Sequence, residues 1–351
     1  MITLSHCHFP WTDLFIRKNG RIQPCCMNSS DLGNINKDSI ENAWNGTKMQ
    51  HIRDSIINGD YQTAGCNPDC SIIRSLKNGN QFPIDFLDKK IPVQSDVYNN
   101  IILATESLSQ KKVKIESFPF RFDIQANELC NMNCIMCKQD HESKERIDPN
   151  LYNSIFMSMN YITGIRFQGG EVFADKQFYP ALLNLKKQMG THQAITIIIN
   201  GSILTHAMID KLVEGNNPIK FLISIDSPNE KIYKKIRVTN QFNVVWSNFK
   251  YLAKKQQESG LSDLVLWNYM VSKSTLPEIK KSLRIANELG VTICFNPIVG
   301  EYFSENMFKY KNLFSKKQFV YLKQCIEFAS KLNIKQVGLE QIIQNLAHHD
   351  N

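Results

Sequence analysis

The chain has 351 residues, of which 42% are hydrophobic and 21% charged, and its 41 basic and 33 acidic residues give a net charge of +8. This length exceeds that of one small domain, and the composition is typical of a globular protein. No apolar run is long enough to cross a bilayer, and the N-terminus lacks a signal-peptide pattern, so we expect a cytoplasmic protein with no membrane partner. The lysines are scattered and form no basic block, which does not favour a nucleic-acid partner.

The first 75 residues are irregular and contain five of the ten cysteines. The Asn19-Gly20 pair predicts a hairpin whose second strand ends at Cys25 and Cys26. Helical spacing follows at 38–44 and 47–57. In a reducing compartment, crowded cysteines indicate metal binding rather than disulfides.

Residues 76–117 are poorly patterned, and we interpret them as a connector with helical pieces. From residue 118 to 299, short β-branched runs alternate with amphipathic segments. The predicted strands are 121–125, 164–168, 194–199, 221–225, 264–270 and 291–295. The predicted helices are 178–189, 207–214, 230–257 and 277–289. Strand-then-helix units predict an α/β fold with parallel strands, either a partial (β/α) barrel or a doubly wound sheet. Residues 300–351 return to helical patterns, at 316–332 and 339–347, and are expected to form a C-terminal cap.

Three cysteines, Cys130, Cys134 and Cys137, follow the first predicted strand of this regular region within eight residues. Cysteine thiolates favour zinc, copper(I) or iron–sulfur clusters. Three thiolates in a tight loop suit a cubane cluster with one iron left open, and an open coordination position distinguishes a reactive metal site from a structural one. The alternative is a Cys3His zinc site completed by His141.

Glycine or polar residues also follow the later predicted strands, where the reactive groups of a barrel or doubly wound sheet lie. They are Gly169, Gly170, Glu171, Asn200, Ser224, Asp226 and Arg237. The Glu171 carboxylate could meet an ammonium group. Ser224 and Asp226 could bind vicinal hydroxyls, and Arg237 offers a planar fork for a carboxylate. Each residue alone has an ordinary explanation as a turn, a helix cap or a surface residue. Together they predict a pocket for a ligand with an amino group, a carboxylate and a ribose.

With these motifs, the segment 118–299 resembles the radical S-adenosylmethionine (SAM) enzymes. The resemblance implies a partial (β/α)6 barrel and a [4Fe–4S] cluster held by the cysteine triplet, whose open iron binds SAM. It further implies reductive cleavage of SAM to a 5′-deoxyadenosyl radical, hydrogen abstraction from a substrate, and a flavodoxin- or ferredoxin-type electron donor. The catalytic residues would be Cys130, Cys134 and Cys137, and the other strand-end residues would bind the cofactor.

The N-terminal segment resembles a SPASM or twitch module placed ahead of the barrel. The resemblance implies an auxiliary [4Fe–4S] cluster held by Cys7, Cys25, Cys66 and Cys70, with Cys26 as the spare of the adjacent pair. A four-cysteine zinc knuckle is the alternative, since the spacings alone do not exclude zinc.

Relatives of this kind modify peptides, protein side chains, or sugars and aminoglycosides, and we expect a peptide or a small biosynthetic intermediate as substrate. Cys294 is a candidate hydrogen-atom donor or an ordinary core residue. Asn268, Tyr269 and Asn296 are candidate contacts with substrate or adenosine, or they make ordinary hydrogen bonds at the strand ends. The other readings are radical methylation and a non-catalytic zinc or iron–sulfur scaffold protein.

Overall fold

The structure is a computed structural model that describes residues 2–148 and 159–347. Parts of the predicted barrel (149–158) and of the predicted cap (348–351) lie outside the described residues. The strands are β1 (Ile2–Leu4), β2 (Asp13–Ile16), β3 (Arg21–Gln23), β4 (Gly33–Asn34), β5 (Phe82–Ile84), β6 (Arg121–Asn127), β7 (Gly164–Gly169), β8 (Ala194–Ile199), β9 (Lys220–Ser224), β10 (Val265–Val271), β11 (Thr292–Pro297) and β12 (Gln336–Val337). The helices are α1 (Phe9–Thr12), α2 (Ile40–Asn45), α3 (Thr47–Ile57), α4 (Ser71–Lys77), α5 (Asp96–Ser109), α6 (Phe178–Gln188), α7 (His206–Val213), α8 (Glu230–Arg237), α9 (Phe242–Ser259), α10 (Ile279–Leu289), α11 (Lys316–Lys331) and α12 (Leu339–Ala347).

The chain divides into two compact units. The first unit consists of Met1–Glu128 and Ser143–Thr196, and the second of Leu129–Glu142 and Ile197–Asn351. The first unit therefore contains the N-terminal cysteine-rich segment, the connector and the first two strands of the regular region. The predicted domain boundaries at 75, 117 and 299 stay predictions.

The larger sheet of the first unit joins the N-terminal segment to the regular region. The predicted hairpin is confirmed, since β2 pairs with β3 in antiparallel register. Strand β2 also pairs in parallel with β6, with Phe15 opposite Asp123, and β6 pairs in parallel with β7, with Asp123 opposite Arg166. The sequence did not predict the pairing of β2 with β6, nor the antiparallel pair of β1 with β5. Both pairings join segments far apart in the chain.

Two buried tryptophans attach the N-terminal segment to the connector. Trp11 donates from Nε1 to the carbonyl of Lys112 at 2.8 Å, and Trp44 donates to the carbonyl of Ser117 at 2.7 Å. The fully buried guanidinium of Arg53 lies over the Trp44 ring, 4.7 Å from its centroid. Buried indole N–H groups need an acceptor, so these contacts fix the helices of the segment as well as packing them.

In the second unit, β9, β10, β11 and β12 pair in parallel in that order. The core-facing side chains of these strands are bulky and apolar, and Trp267 and Phe221 are fully buried. Strand β8 crosses from one unit to the other. The α/β class with mostly parallel strands agrees with the sequence prediction, and each predicted strand of the regular region lies within two residues of its observed position.

One predicted helix is wrong. The segment 230–257 forms two helices, because Val238 adopts a left-handed conformation with φ of 48° and ends α8. No glycine marks this break, and a β-branched residue rarely takes that conformation. The break places Arg237 at the last position of α8. Within the described ranges 2–148 and 159–347, no helix is long and apolar enough to span a membrane.

Candidate functional site

The cysteine triplet lies in a loop of the second unit that begins three residues after β6 ends. Cys130, Cys134 and Cys137 are all half-buried, which leaves their sulfurs within reach of a ligand. The loop is held by two backbone hydrogen bonds, from the N–H of Cys137 to the carbonyl of Cys134 at 3.0 Å and from Ile135 to Ile236 of α8 at 2.9 Å. The predicted spacing thus produces one compact turn with three available thiols.

Each sulfur of the triplet lies beside a nitrogen of another side chain. The three pairs are Asn200 Nδ2 with Cys130 Sγ at 3.8 Å, Arg237 Nη1 with Cys134 Sγ at 3.7 Å, and His141 Nε2 with Cys137 Sγ at 3.1 Å. Asn200 and Arg237 were predicted as cofactor-binding residues, and here they act as donors towards sulfur. Such donors stabilise thiolates and the negative charge of a metal–thiolate cluster.

Arg237 and Asp226 are paired with each other. Arg237 donates from Nε to Oδ2 of Asp226 at 2.5 Å and from Nη2 to Oδ1 at 2.8 Å, and the Asp226 side chain is fully buried. Burial alone would lower the pKa of Arg237, but the charges of Asp226 and Cys134 outweigh it and the pKa lies above its ordinary value. The fork expected to hold a ligand carboxylate therefore holds a protein carboxylate, and the roles predicted for both residues in SAM binding stay predictions.

Burial also raises the pKa of Cys134, although the nearby Arg237 guanidinium acts in the opposite direction. The thiolate of this cysteine therefore depends on compensating positive charge, which a bound metal centre would also supply.

A row of polar side chains crosses three neighbouring strands of the second unit. Asn268 of β10 donates from Nδ2 to Oγ of Ser224 in β9 at 3.1 Å, and Asn296 of β11 donates to Oδ1 of Asn268 at 2.8 Å. Cys294 is paired in register with Asn268, so both side chains project from the same face. Burial raises the pKa of Cys294, which keeps the thiol protonated at neutral pH. A protonated, half-buried thiol agrees with either role considered for this residue.

In the first unit, the Gly-Gly-Glu segment is fitted closely to the end of β6. Gly169 has a φ of +150°, and a Cβ atom there would lie 2.1 Å from the carbonyl oxygen of Asn127. Gly170 donates its N–H to that same oxygen at 3.1 Å. Glu171 is fully buried, and its Oε1 accepts from the N–H of Phe173 at 3.4 Å. Gly169 is thus required for the close approach of its backbone to Asn127. The approach of a ligand to Gly169 and Gly170 stays a prediction.

All five N-terminal cysteines influence one another electrostatically. Burial raises the pKa of Cys7 to about 12, and Cys70 and Cys66 add to that shift. Burial also raises the pKa of Cys25 well above its ordinary value, with further contributions from Cys7, Cys26 and Cys66. Asn28 donates from Nδ2 towards Sγ of Cys66 at 3.6 Å. The four cysteines predicted to hold an auxiliary site thus lie in one neighbourhood of the first unit.

Cys26 has a different environment from its neighbour Cys25. Cys26 is more exposed than Cys25. The surrounding protein nevertheless raises the pKa of Cys26, first by partial burial and then through the charge of Asp123. Asp123 lies on β6 and forms an ion pair with Arg166 of β7. Cys26 thus lies near this ion pair as well as near Cys25 and Cys70, and its assignment as the spare member of the adjacent pair stays a prediction.

Sequence reasoning missed a tyrosine near the triplet. Burial raises the pKa of Tyr302, and the sulfur of Cys137 adds to the shift, so the phenol lies in the field of that cysteine. Tyr302 follows Gly300, whose Cβ position would lie 3.7 Å from Cε of Lys138. No local pattern signals this contact, because Tyr302 lies in a loop more than 160 residues after the triplet.

Residues 124–269 match the model of the radical SAM superfamily, and residues 7–71 match the SPASM iron–sulfur cluster-binding domain. The matches define an iron–sulfur protein. The chain thus contains a radical SAM domain, and a SPASM domain precedes it. No curated protein matches the chain.

Solved structures of similar fold include SuiB of Streptococcus suis, at 14% identity and a TM-score of 0.50, over 83% of this chain and 64% of SuiB. SuiB bound to S-adenosylmethionine matches at 13% identity and a TM-score of 0.50, over 92% of this chain and 70% of SuiB. A radical SAM methyltransferase from Sphaerobacter thermophilus matches at 12% identity and a TM-score of 0.47, over 61% of this chain and 65% of that one. The chain thus spans 64% of the first of these structures.

The two domains imply [4Fe–4S] clusters and S-adenosylmethionine as cofactors. The residues present fit this implication, because three half-buried thiols share one loop and each has a nitrogen beside its sulfur. Among residues 2–148 and 159–347, no three histidine, cysteine or acidic side chains converge as on a single metal ion.

Proposed function

We propose that this protein is a radical SAM enzyme that cleaves S-adenosylmethionine reductively and abstracts a hydrogen atom from a peptide or a small biosynthetic substrate. The observation that carries the proposal is the cysteine loop after β6, whose three thiols all have nitrogen neighbours, within the segment that matches the radical SAM model. When bound, the reduced cluster supplies the electron that cleaves the sulfonium and yields the 5′-deoxyadenosyl radical.

In this proposal the residues of the chain hold and shield the reactants. Cys130, Cys134 and Cys137 bind the cluster. Gly169 and Gly170 would allow the backbone to approach the ligand, and the Glu171 carboxylate would meet its amino group. The strands β6 to β11 would form the partial (β/α)6 barrel, and the described part of 300–351 would form its helical cap.

The binding of the nucleoside portion is proposed for residues at the ends of two neighbouring strands. Ser224 accepts from Asn268, which leaves its hydroxyl hydrogen available to a ribose oxygen. Asn200 lies beside Cys130 at the end of β8. Arg237 and Asp226 would form the charged wall next to Cys134.

The proposed substrate is polar, because one face of β6 and β7 carries charged and amide side chains. Asp123 and Gln125 alternate along β6, and Arg166 and Gln168 lie opposite them in the parallel register. Such a face suits the amides and charges of a peptide better than an apolar metabolite. A flavodoxin- or ferredoxin-type protein is the proposed electron donor. A cytoplasmic location is proposed because the thiols must stay reduced.

We further propose an auxiliary [4Fe–4S] cluster held by Cys7, Cys25, Cys66 and Cys70. These cysteines lie in a domain that spans residues 1–75 and is followed in the chain by the connector 76–117. The location of these four thiols in one neighbourhood supports the set, and the greater exposure of Cys26 supports its omission. Four protein ligands would suit this cluster to electron transfer or structure.

The first experiment tests the reaction. The protein is reconstituted anaerobically with iron and sulfide, reduced with dithionite, and assayed for 5′-deoxyadenosine released from S-adenosylmethionine. Release is expected from the wild type and from Cys26→Ala, and its loss from Cys134→Ala. A wild-type sample with full clusters that releases none would refute the proposal.

The second experiment counts iron and sulfide in Cys25→Ala and Cys26→Ala. We expect Cys25→Ala to lose the equivalent of one cluster and Cys26→Ala to keep two. Loss of one cluster in Cys26→Ala alone would show that Cys26, and not Cys25, is the ligand. Zinc in place of iron in the N-terminal domain would support the zinc knuckle.

A further inference from the structure

A buried carboxylate after the last barrel strand connects three elements of the second unit. Glu305 has a side chain that is 2% exposed, and it accepts four hydrogen bonds. Its donors are Lys235 Nζ at 2.6 Å, Ser274 Oγ at 2.6 Å, Ser272 Oγ at 2.9 Å and the Ser274 N–H at 2.9 Å. Burial alone would raise the pKa of Glu305, but these hydrogen bonds outweigh it and the pKa lies below its ordinary value. The carboxylate is therefore charged and fully satisfied at neutral pH.

One of the donors belongs to the helix that contacts the cysteine loop. Lys235 lies on α8, two residues before Arg237, and it also donates to Oγ of Ser274 at 2.8 Å. The next residue, Ile236, accepts the hydrogen bond from the N–H of Ile135 in the cysteine loop. The last residue of α8 is Arg237, which faces Cys134. The end of α8 is thus held by Glu305 on one side and meets the cysteine loop on the other.

The segment 300–305 also reaches the cysteine loop directly. Tyr302 lies in the field of Cys137, and the Cβ position of Gly300 is 3.7 Å from Cε of Lys138. Glu305 fixes this segment through its backbone as well, since its carbonyl accepts from the N–H of Lys273 at 3.0 Å and its N–H donates to Tyr302 at 3.1 Å. Glu305 therefore holds both elements that contact the cysteine loop, α8 and the segment that contains Tyr302.

We propose that Glu305 is a positioning residue for the SAM cluster, which holds α8 and the segment 300–305 against the loop of Cys134 and Cys137. The inference rests on the proposed function for the identity of the ligand, but its contacts belong to the chain itself. Glu305 touches neither cluster nor SAM. Glu305 acts through Arg237, which lies beside the Cys134 sulfur, and through Tyr302, which lies near Cys137. Its loss should weaken the hydrogen bond from Arg237 to the Cys134 sulfur and displace Tyr302.

The experiment compares three variants in cluster-reconstituted protein. Glu305→Ala removes all four hydrogen bonds, and Glu305→Gln keeps an acceptor for the serines while it removes the charge opposite Lys235. Lys235→Ala breaks only the link to α8 and leaves the carboxylate its serine donors, so it is expected to fold even if Glu305→Ala does not. Glu301→Gln is the matched control, because Glu301 is 65% exposed and pairs with Lys309 on the surface.

The measurements are the midpoint potential of the cluster, the change in its electron paramagnetic resonance signal on addition of S-adenosylmethionine, and the dissociation constant of that ligand. Loss of a supporting residue at a metal site lowers affinity by about tenfold or more, and we expect this for Glu305→Ala, with a smaller loss in Lys235→Ala. The midpoint potential of the cluster should shift in both Glu305→Ala and Lys235→Ala. In the double variant Glu305→Ala/Lys235→Ala the two losses of affinity should not add, because both substitutions remove the contact between Glu305 and Lys235. Glu301→Gln should match the wild type.

Folded Glu305→Gln and Lys235→Ala proteins with a wild-type potential and wild-type affinity would overturn the inference. The proposed function fails in a different way: the wild type itself would then bind no cluster or leave S-adenosylmethionine uncleaved.

Discussion

Arg237 reaches the Asp226 carboxylate with two nitrogens, at 2.5 and 2.8 Å, and turns a third towards Cys134. Removing one partner of a buried ion pair leaves the other charge uncompensated. We therefore expect Asp226→Asn to lower the free energy of unfolding by about 3 kcal/mol. Chemical denaturation of the apoprotein measures this change. Glu230→Gln is the control, since the exposed pair of Glu230 with Lys234 contributes about 0.5 kcal/mol or less. Equal losses in the two variants would contradict the importance of the buried pair.

Gly169 is the position where a side chain is least tolerated in the Gly-Gly-Glu segment. A Cβ atom would lie 2.1 Å from the Asn127 carbonyl, and the φ of +150° is itself unfavourable for other residues. Gly169→Ala should cost about 2 kcal/mol or more and weaken the binding of S-adenosylmethionine. At the start of the same strand, Gly164→Ala would place its Cβ 3.6 Å from the Ala194 carbonyl, an ordinary contact. The free energy of unfolding of Gly164→Ala should equal that of the wild type or exceed it. Equilibrium unfolding and ligand titration of both variants test the difference.

His141 and Asn200 should influence the potential of the SAM cluster. Their nitrogens lie 3.1 Å from Sγ of Cys137 and 3.8 Å from Sγ of Cys130. Hydrogen bonds to the sulfurs stabilise the reduced, more negative state of a cluster. His141→Ala and Asn200→Ala are therefore expected to have more negative midpoint potentials in a redox titration followed by electron paramagnetic resonance. His51→Ala, at an exposed site on α3, should leave the potential unchanged. A His141→Ala variant that loses its iron altogether would indicate that the histidine is a ligand.

Cys325 should be inert at neutral pH. It is fully buried in α11, and burial raises its pKa to about 11. Because only the thiolate reacts, carbamidomethylation of the folded protein should be slow at pH 7 and accelerate about tenfold per pH unit up to pH 10. Mass spectrometry after timed labelling reports this rate. In urea the same thiol should react as an ordinary cysteine. Rapid labelling at pH 7 without denaturant would contradict the burial of this residue.

The regular region was predictable because its strands are short β-branched runs and its helices are amphipathic, and both patterns are local. The cysteine triplet was evident for the same reason, since its three thiols lie within eight residues. The break at Val238 was missed because it depends on a left-handed backbone at a residue type that gives no warning.

The partners of the candidate site residues were less predictable than the residues themselves. Arg237 and Asp226 were both singled out, yet the sequence did not show that they pair with each other. Glu305 was not singled out at all, because its four donors come from segments 31 to 70 residues away. Spacing along the chain identifies residues capable of chemistry, whereas their contacts depend on tertiary structure.

The parallel pairing of β2 with β6 has a consequence for any attempt to isolate the catalytic part of the chain. Strand β6 lies between β2 and β7, so its backbone groups are hydrogen-bonded on both sides. A protein truncated at residue 75 would expose one side of β6 as an open strand edge. Such an edge offers unpaired N–H and C=O groups to other chains and promotes aggregation. The N-terminal domain thus protects β6, the strand that leads into the cysteine loop, and the two segments should be produced as one polypeptide.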